Sequence, residues 1–280
     1  MKSSQVREMN KTERLYAYVL RRRVVTSDEL GEWAREELGK DYKYLYTKYI
    51  TRLLAQGKLV RVTRGMYSAR NLFPTHPYDH PDAPPNKYLV GSKLRGRYYL
   101  GYHTALELHG CAYSSTNSCF VVTLDNNKFR PFSHGRLTFE SIVARDVTTE
   151  VVTESIAGTD VITSSPSRTF VECTRRLDLC GGLEEVLKSI DGLRGVTPEG
   201  LKASLEIYGY DILYRSVGFF LELMRDESSY YEFVTDDLLD YLRSRSTGST
   251  AYLVSGVPSR LDDGWNLYVP VDMDRITAGV

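Results

Sequence analysis

The chain has 280 residues, of which 42% are hydrophobic and 26% are charged. This composition is ordinary for a globular protein and excludes disorder over the whole length. No apolar run approaches the roughly 18 residues that a membrane span requires, and the N-terminal segment contains no apolar signal core. We therefore expect a cytoplasmic protein of about two domains that makes no contact with a membrane.

The net charge of zero hides an uneven distribution of charge along the chain. Residues 1–72 contain 16 Lys and Arg against 8 Asp and Glu, whereas residues 73–280 contain 20 and 28. The first part therefore has an excess of positive charge, and the second part has an equal excess of negative charge. A basic segment of this kind is attracted to a polyanion such as nucleic acid, and the acidic remainder is not.

The first 70 residues have the pattern helix, helix, helix and hairpin. The predicted ranges are residues 11–23, 26–38 and 44–56 for the helices and residues 58–69 for the hairpin. Thr12 is the predicted N-cap of the first helix, and a capping box between Thr26 and Glu29 opens the second. Arg64 and Gly65 form the predicted turn of the hairpin. This order of elements is that of a winged helix-turn-helix domain.

The third predicted helix has an apolar face and an opposite polar face. On a helical wheel, Leu53, Leu54 and Tyr46 lie beside Ile50, and Thr47 lies at the rim. The outer face contains cations, hydroxyls and an aromatic ring but no acid. A helix held by a core on one side and bare on the other fits the major groove of duplex DNA.

Residues outside this helix extend the predicted interface. Ser27 and the N-terminus of the second helix offer a phosphate contact, and Arg61 and Arg64 of the hairpin can reach a phosphate or the minor groove. Double-stranded DNA is favoured over RNA because no strand carries aromatic residues in an RNA-binding pattern. A winged helix that binds protein instead is the alternative. The predicted DNA-binding residues are Ser27, Lys43, Tyr44, Thr47, Lys48, Thr51, Arg52, Arg61 and Arg64.

Residues 71–87 contain five prolines and predict an extended connector. His76, Asp79, His80 and Asp82 lie in this stretch and are residue types that bind metals. Ligands on an extended, proline-rich segment are poorly arranged for four-coordinate closure, so we expect no metal site.

After the connector, strands come first and helices later. Strands are predicted at 119–124, 137–144, 150–152, 159–163, 251–254 and 265–269, and helices at 99–110, 166–177, 182–190, 197–208, 211–225 and 235–245. Without a regular alternation of strand and helix, an α+β fold is favoured over a doubly wound sheet. We expect a winged helix-turn-helix domain over residues 1–72, a linker over 73–87, and a larger α+β domain over 88–280 with helices concentrated in its C-terminal half.

Four segments together resemble one protein family. VVTSDELGEWAREELGKDYKYLYTKYITRLLAQGKLVRVTRGMYSA resembles the N-terminal winged helix of AbiEi-type antitoxins. YYLGYHTALELHG, SSPSRTFVECTRRLDLCGGLEEVLKSI and GWNLYVPVD are similar to segments of the second domain of that family. The resemblance spans about residues 12–275, and it is loose in the linker and the strands.

The resemblance implies an antitoxin of a type IV toxin–antitoxin system linked to abortive phage infection. Its winged helix is expected to bind inverted repeats in its own promoter and repress the operon, with two copies per operator. The second domain is expected to counteract a nucleotidyltransferase-like toxin without a tight complex. The residues that match the antitoxin segment are Arg168, Thr169, Glu172 and Arg175. Arg168 and Glu172 are also four apart on one predicted helix, so a simple ion pair is the alternative.

No motif for catalysis is found. The sequence lacks phosphate-binding glycine loops, nucleophile elbows and zinc-protease motifs. Asp125 and Glu140 lie near strands but are not followed by the acid-x-Lys of a nuclease, and His103 and His109 are spaced to point in different directions. We expect no enzyme activity and no cofactor. Two alternatives remain, a regulator whose second domain binds a ligand or protein and a nucleic-acid-processing enzyme.

The four cysteines, Cys111, Cys119, Cys173 and Cys180, show no C-x-x-C spacing. Without a secretion signal, we expect reduced and buried thiols.

Overall fold

A computed structural model describes residues 9–70, 83–273 and 275. They form two compact units, one with the residues up to Gly96 together with 132–138 and 155–159, and the other with the remaining residues. The α+β fold predicted from the sequence is confirmed, with an N-terminal helix-turn-helix region followed by a larger mixed region. Residues 73–82 of the predicted linker, including His76, Asp79, His80 and Asp82, lie outside the described residues.

The first unit begins with three helices and a hairpin, in the predicted order. The elements are α1 (Lys11–Arg22), β1 (Val24–Thr26), α2 (Ser27–Leu38), α3 (Tyr42–Leu45, Tyr46–Ile50 and Thr51–Ala55), β2 (Leu59–Thr63), β3 (Met66–Ala69) and α4 (Lys87–Ser92). The middle segment of α3 is a π-helical turn. The three strands form an antiparallel sheet in the order β1-β3-β2. The wing hairpin, β2 and β3, is therefore extended to a third strand by β1, which lies between the first two helices in sequence.

Two helix starts show how the sequence sets these boundaries. The Thr26 and Glu29 capping box is confirmed, since each residue's side chain accepts the other's backbone N–H, at 3.3 and 2.8 Å. The prediction of Thr12 as the N-cap of α1 is wrong. Asn10 has that role, because its side chain accepts from the Glu13 N–H at 3.0 Å and the Glu13 carboxylate accepts from the Asn10 N–H at 2.8 Å. Asparagine is the better N-cap of the two residue types.

A small apolar core holds these helices to the wing. Leu15 of α1, Leu30 of α2, Ile50 and Leu53 of α3 and Leu59 of β2 are all buried in one cluster. Burial of one side chain of this size stabilises a fold by about 1.5–3 kcal/mol. The core therefore fixes the orientation of α3 and leaves its other side exposed.

The remaining helices and strands lie between Tyr98 and Pro270. They are β4 (Tyr98–Leu100), α5 (His103–Leu108), β5 (Ser118–Thr123), β6 (Phe132–His134), β7 (Leu137–Val143), β8 (Val151–Ile156), β9 (Thr159–Ser164), α6 (Pro166–Arg175), α7 (Leu183–Asp191), α8 (Pro198–Tyr208), α9 (Asp211–Glu227), α10 (Asp236–Ser244), β10 (Ala251–Tyr252), β11 (Ser259–Asp262) and β12 (Leu267–Pro270). Helices are concentrated after residue 165, as predicted.

These strands form two sheets. The larger has the order β6-β7-β5-β4-β9-β8, with β4 antiparallel to β5 and parallel to β9. The smaller has the order β10-β12-β11. The helix predicted over 99–110 is wrong at its start, since Tyr98–Leu100 is a strand and the helix begins at His103. Tyrosine and leucine next to buried strands pack well in a sheet, and tertiary context decides such short apolar segments.

The core of the second unit lies among its helices. Phe170 of α6, Leu201 and Leu205 of α8, and Val217 and Phe220 of α9 are fully buried there. Within the described residues, no helix is long and apolar enough to cross a membrane.

Gly218 lies in the middle of α9 and sets how closely the C-terminal sheet can approach that helix. A Cβ atom at this position would lie 2.1 Å from the ring of Trp265, which precedes β12. We expect Gly218→Ala to lower the free energy of unfolding by about 3 kcal/mol or more, because a rigid indole cannot move away from the added methyl group. Urea denaturation measures this loss.

Gly96→Ala is the matched control for this substitution, since a Cβ atom there meets no atom within 4 Å. We expect its midpoint to equal that of the wild type. If Gly218→Ala were as stable as the wild type, the close approach of Trp265 to Gly218 would be refuted.

Candidate nucleic-acid interface

The exposed face of α3 depends on the π-helical turn. Leu45 precedes this turn and Ile50 is its last residue, and both are fully buried although they are five residues apart. In a regular α-helix they would be about 140° apart around the axis. The wider turn brings both side chains into the same core. The residues that α3 then exposes are Lys43, Thr47, Lys48, Thr51, Arg52 and Ala55. All of them except Ala55 are predicted DNA-binding residues.

Two threonines form part of a stripe along this face. The Thr47 hydroxyl donates to the carbonyl of Lys43 at 3.0 Å, and the Thr51 hydroxyl donates to the carbonyl of Thr47 at 2.9 Å. Each hydroxyl hydrogen is used inside the helix, so the methyl groups and the oxygen lone pairs remain for a ligand. Thr47, predicted at the rim, lies on the exposed face.

Two lysines, Lys40 and Lys48, lie close to the ring of Tyr44. The Lys48 ammonium donates to the Tyr44 hydroxyl at 3.1 Å and lies 5.3 Å from the ring centre, and the Lys40 ammonium lies 5.8 Å from the same centre. The hydrogen bond from Lys48 lowers the pKa of Tyr44, and the same bond raises the pKa of Lys48. Lys48 therefore stays charged beside an aromatic ring that is only partly buried.

The wing places its two predicted arginines at the surface. Arg61 is exposed, and its Nη2 donates to the Tyr46 hydroxyl at 2.7 Å. Arg64 is exposed at the turn, followed by Gly65, whose φ of +73° suits glycine. Ser27 lies beside this turn, because its backbone N–H donates to the Gly65 carbonyl at 2.7 Å. The hydrogen bond ties the tip of the wing to the start of α2.

In the part of the chain that the structure describes, neither the wing arginines nor the cations of α3 have an acidic partner. Lys43, Lys48, Arg52, Arg61 and Arg64 form no ion pair with any residue in the described part of the chain. Their charges are therefore available to an external anion.

Sequence reasoning missed three tyrosines next to these cations. Tyr42 and Tyr67 are absent from the predicted DNA-binding residues, and Tyr46 is predicted only on the apolar face of the helix. In the structure the Tyr42 and Tyr67 hydroxyl oxygens are 3.0 Å apart, and Tyr46 holds Arg61. The only signal in the sequence is the choice of tyrosine at inner positions where leucine or phenylalanine would pack as well.

The residues that match the antitoxin segment lie in the interior of the second unit. Arg168 and Glu172 are fully buried on α6, with Arg168 Nε donating to Glu172 Oε1 at 3.0 Å. Arg168 also donates to the carbonyls of Thr149 and Asp146, at 2.5 and 2.8 Å. This is the ion pair that the spacing of four residues predicts, in a fully buried form.

Two tyrosine hydroxyls complete the cluster around Glu172. Tyr208 donates to Oε1 at 2.6 Å, and Tyr99 donates to the same oxygen. Burial, together with the nearby Glu172 charge, raises the pKa of both phenols, so they remain protonated donors. Arg175 is partly buried, and its Nη2 donates to the Tyr102 hydroxyl at 2.5 Å.

Thr169 belongs to a neighbouring hydrogen-bond group. Its hydroxyl is 2.7 Å from the Ser164 hydroxyl and 3.2 Å from His109 Nε2, and His109 Nε2 is 2.9 Å from the Ser164 carbonyl. Burial lowers the pKa of His109. Three of the four segment residues, Arg168, Thr169 and Glu172, are thus inaccessible to a protein partner.

The residues considered for catalysis are dispersed. Asp125 is exposed and pairs with Lys128 at 2.8 Å, and His103 is buried against Glu185 at 3.2 Å. In the described ranges, no group of three or more His, Cys, Asp or Glu side chains could hold a metal ion. The four cysteines are free thiols; Cys111 is partly buried, and the other three are buried.

Comparisons with known proteins find one family that matches part of the first unit and a solved structure with a similar fold. Residues 13–69 match a family described as "Transcriptional regulator, AbiEi antitoxin". Among solved structures, the chain is similar to the RV2827C protein from Mycobacterium tuberculosis, with a TM-score of 0.64 and 14% identity over 94% of this chain and 92% of that one. At this identity the likeness concerns the fold alone. No curated protein sequence matches the chain. The resemblance to AbiEi-type antitoxins is confirmed over residues 13–69, which match the model of that transcriptional-regulator and antitoxin family.

Proposed function

We propose that this protein is the antitoxin and transcriptional autorepressor of a type IV toxin–antitoxin operon. The observation that carries the proposal is the exposed face of α3, which has Lys43, Lys48 and Arg52 and no acid, in a domain that matches a regulator family. The function needs no catalysis and no cofactor. Both proposed partners, promoter DNA and a nucleotidyltransferase-like toxin, place the protein in the cytoplasm.

In this proposal α3 enters the major groove and the wing lies along the backbone. Arg52 can read a guanine edge, and the methyl groups of Thr47 and Thr51 can contact thymine. Lys43, Lys48, Tyr44, Ser27, Arg61 and Arg64 position the domain on phosphates. Two copies occupy an inverted repeat, since each copy has a single reading helix of this kind.

Arg52→Ala is expected to reduce the preference for promoter DNA about tenfold, because one base contact of this type is worth about 1–3 kcal/mol. Arg64→Ala is expected to weaken promoter and scrambled duplexes to the same extent, because a phosphate contact does not read sequence. Fluorescence anisotropy with both duplexes at several salt concentrations measures these effects. We expect a log–log salt slope of about −4 to −5 per protomer.

Arg21→Ala is the matched control, since Arg21 is exposed in the last turn of α1, outside the α3 face. Its specificity should equal that of the wild type. If the promoter duplex binds no better than the scrambled one, readout by α3 is refuted.

The antitoxin role is proposed for the second domain and is separable from repression. Full-length protein carrying Arg52→Ala and Arg64→Ala should still rescue growth of cells that express the neighbouring nucleotidyltransferase-like toxin, although it no longer represses the promoter. Co-expression of the two proteins from an unrelated promoter, with growth as the readout, tests this. Loss of rescue with normal protein levels would show that neutralisation requires DNA binding.

We propose that Arg168, Thr169 and Glu172 support antitoxin activity by holding the second unit together, since they are fully buried. Glu172→Leu leaves the Arg168 charge without its anion, and we expect a loss of about 3–5 kcal/mol of unfolding free energy. The double variant Arg168→Met with Glu172→Leu should lose less than the sum of the two single losses. Urea denaturation of the three variants completes the cycle.

Glu184→Gln is the control, because Glu184 forms an exposed pair with Lys188 at the same spacing of four residues, 2.8 Å apart. Its midpoint should not change. If the losses of unfolding free energy in the Arg168 and Glu172 variants were additive, the two residues would not interact as a buried ion pair.

A further inference from the structure

The strand β11 of the C-terminal sheet has one open edge. The order of that sheet is β10-β12-β11, so among the described residues β11 pairs on one side only, with β12. An edge strand presents unpaired backbone N–H and C=O groups, and a strand of another chain can pair with them. The backbone of β11 is therefore a place at which a second chain can add a strand.

The hydrogen bonds to β12 identify which residues of β11 face the open edge. The Val271 N–H donates to the Pro258 carbonyl at 3.1 Å, and the pairing continues along β11 without a shift of register. In an antiparallel pair, residues that bond to the neighbouring strand alternate with residues whose backbone groups point away from it. Pro258, Arg260 and Asp262 therefore bond to β12. The N–H and C=O groups of Leu261 point to the open edge.

The same residue brings an exposed apolar side chain to this edge. Leu261 is 45% exposed and pairs with Tyr268 of β12, which also pairs with Tyr252 of β10. The two tyrosine rings are stacked with their centres 4.7 Å apart. Directly paired residues lie on one face of a sheet. The row of Tyr252, Tyr268 and Leu261 thus runs across all three strands and ends uncovered at the open edge.

The charges of β11 indicate which partner strand fits. Arg260 and Asp262 flank Leu261 and lie on the other face of the sheet, because side chains alternate along a strand. If two copies of β11 pair antiparallel about Leu261, each arginine lies opposite the partner's aspartate. Pairing centred on Arg260 would oppose two arginines, and pairing centred on Asp262 would oppose two aspartates. Among registers centred on a residue of β11, the one at Leu261 alone opposes unlike charges, which stabilises a cross-strand pair.

We infer that β11 joins two copies of this chain by antiparallel strand addition. The two Leu261 residues bond to each other across a two-fold axis, with each N–H donating to the other C=O. Arg260 of each copy lies opposite the partner's Asp262, and the two apolar rows become continuous. Such a contact is isologous and has the two-fold symmetry of an inverted repeat.

The contact between two short strands is small, so we expect a dissociation constant in the micromolar range. Its role on the operator is the one consequence that rests on the proposed function. There, two copies on neighbouring half-sites are held close together, and a weak contact then suffices for cooperative binding, as it does between linked modules.

Sedimentation equilibrium of the full chain without DNA tests the contact. Leu261→Pro removes an N–H from the open edge and leaves the bonds of Arg260 and Asp262 to β12 in place. We expect dimerisation to weaken about tenfold or more, because two hydrogen bonds are lost, one from each copy. An unchanged urea midpoint separates this loss from unfolding.

Ile212→Ala is the matched control, since Ile212 is 39% exposed and lies on α9, outside the C-terminal sheet. Its dimerisation should equal that of the wild type. If Leu261→Pro dimerises as the wild type does, or if Ile212→Ala weakens the dimer equally, pairing through β11 is overturned.

Leu261→Cys tests the register and does not depend on the proline variant. The Cα atoms of a hydrogen-bonded antiparallel pair are about 5.5 Å apart, which is within the range of a disulfide. Copper-catalysed air oxidation should therefore link two Leu261→Cys copies. Tyr252→Cys, on the same face but two strands away from the edge, should stay unlinked like the wild type. Linkage of both variants or of neither would contradict this register.

Duplexes with one and with two half-sites distinguish this inference from the proposed function. Leu261→Pro should bind one half-site as the wild type does and lose cooperativity on two. Cooperativity equal to that of the wild type would refute the role of β11 on the operator. If the wild type dimerises through β11 but binds neither duplex, the proposed function fails and the inferred contact stands. If it binds both but neither dimerises nor gives the Leu261→Cys link, the contact is overturned and the proposed function stands.

Discussion

The first unit depends on the packing of Leu45 and Ile50 into one core across a single wide helical turn. A helix that enters a groove must be held on one side and bare on the other. An unbroken α-helix would turn one of these two residues toward solvent. The π turn adds one residue to the repeat and restores a continuous apolar seam. Its consequence is an outer stripe of Lys43, Thr47 and Thr51, which contains no large apolar side chain.

Much of this unit follows from the sequence because its signals are local. A capping box, the glycines that follow α2 and α3 (Gly39 and Gly57) and an Arg-Gly turn fix element boundaries through hydrogen bonds within a few residues. The π turn is different, since no residue type specifies it and only the demands of the core produce it. For the same reason a wheel drawn at 100° per residue placed Thr47 at the rim. The strand at Tyr98 also depends on neighbours that are distant in sequence. The Asn10 cap does not, since its partner Glu13 is three residues away and the pair forms a local capping box.

The antitoxin segment shows what a family motif can and cannot indicate. The spacing of Arg168 and Glu172 predicted an ion pair, but the sequence held no sign that the pair lies beneath two tyrosine hydroxyls with no exposed surface. The ion pair and the hydrogen bonds to Glu172 Oε1 offset the cost of removing these charges from water, although Glu172 Oε2 has no hydrogen-bond partner among the described residues. Residues of this kind are constrained by the fold as strongly as contact residues are by a ligand. The positions of these residues therefore concern the stability of the second unit, and they do not supply the surface that acts on the toxin in the proposed function.

Both units use tyrosine to orient arginine, and the difference between them concerns the counter-charge. In the second unit the Arg168 guanidinium lies 4.3 Å from the Tyr99 ring centre, and Glu172 neutralises it. In the first unit Arg61 is exposed, and its guanidinium carbon lies 5.9 Å from the Tyr46 ring centre and 5.8 Å from the Tyr67 ring centre, without an ion pair to any described residue. Of these two arginines, the buried one thus has a counter-charge within the chain, and the exposed one has none among the described residues. An exposed cation without its own anion is available to an external one, and the duplex of the proposed function supplies many phosphates.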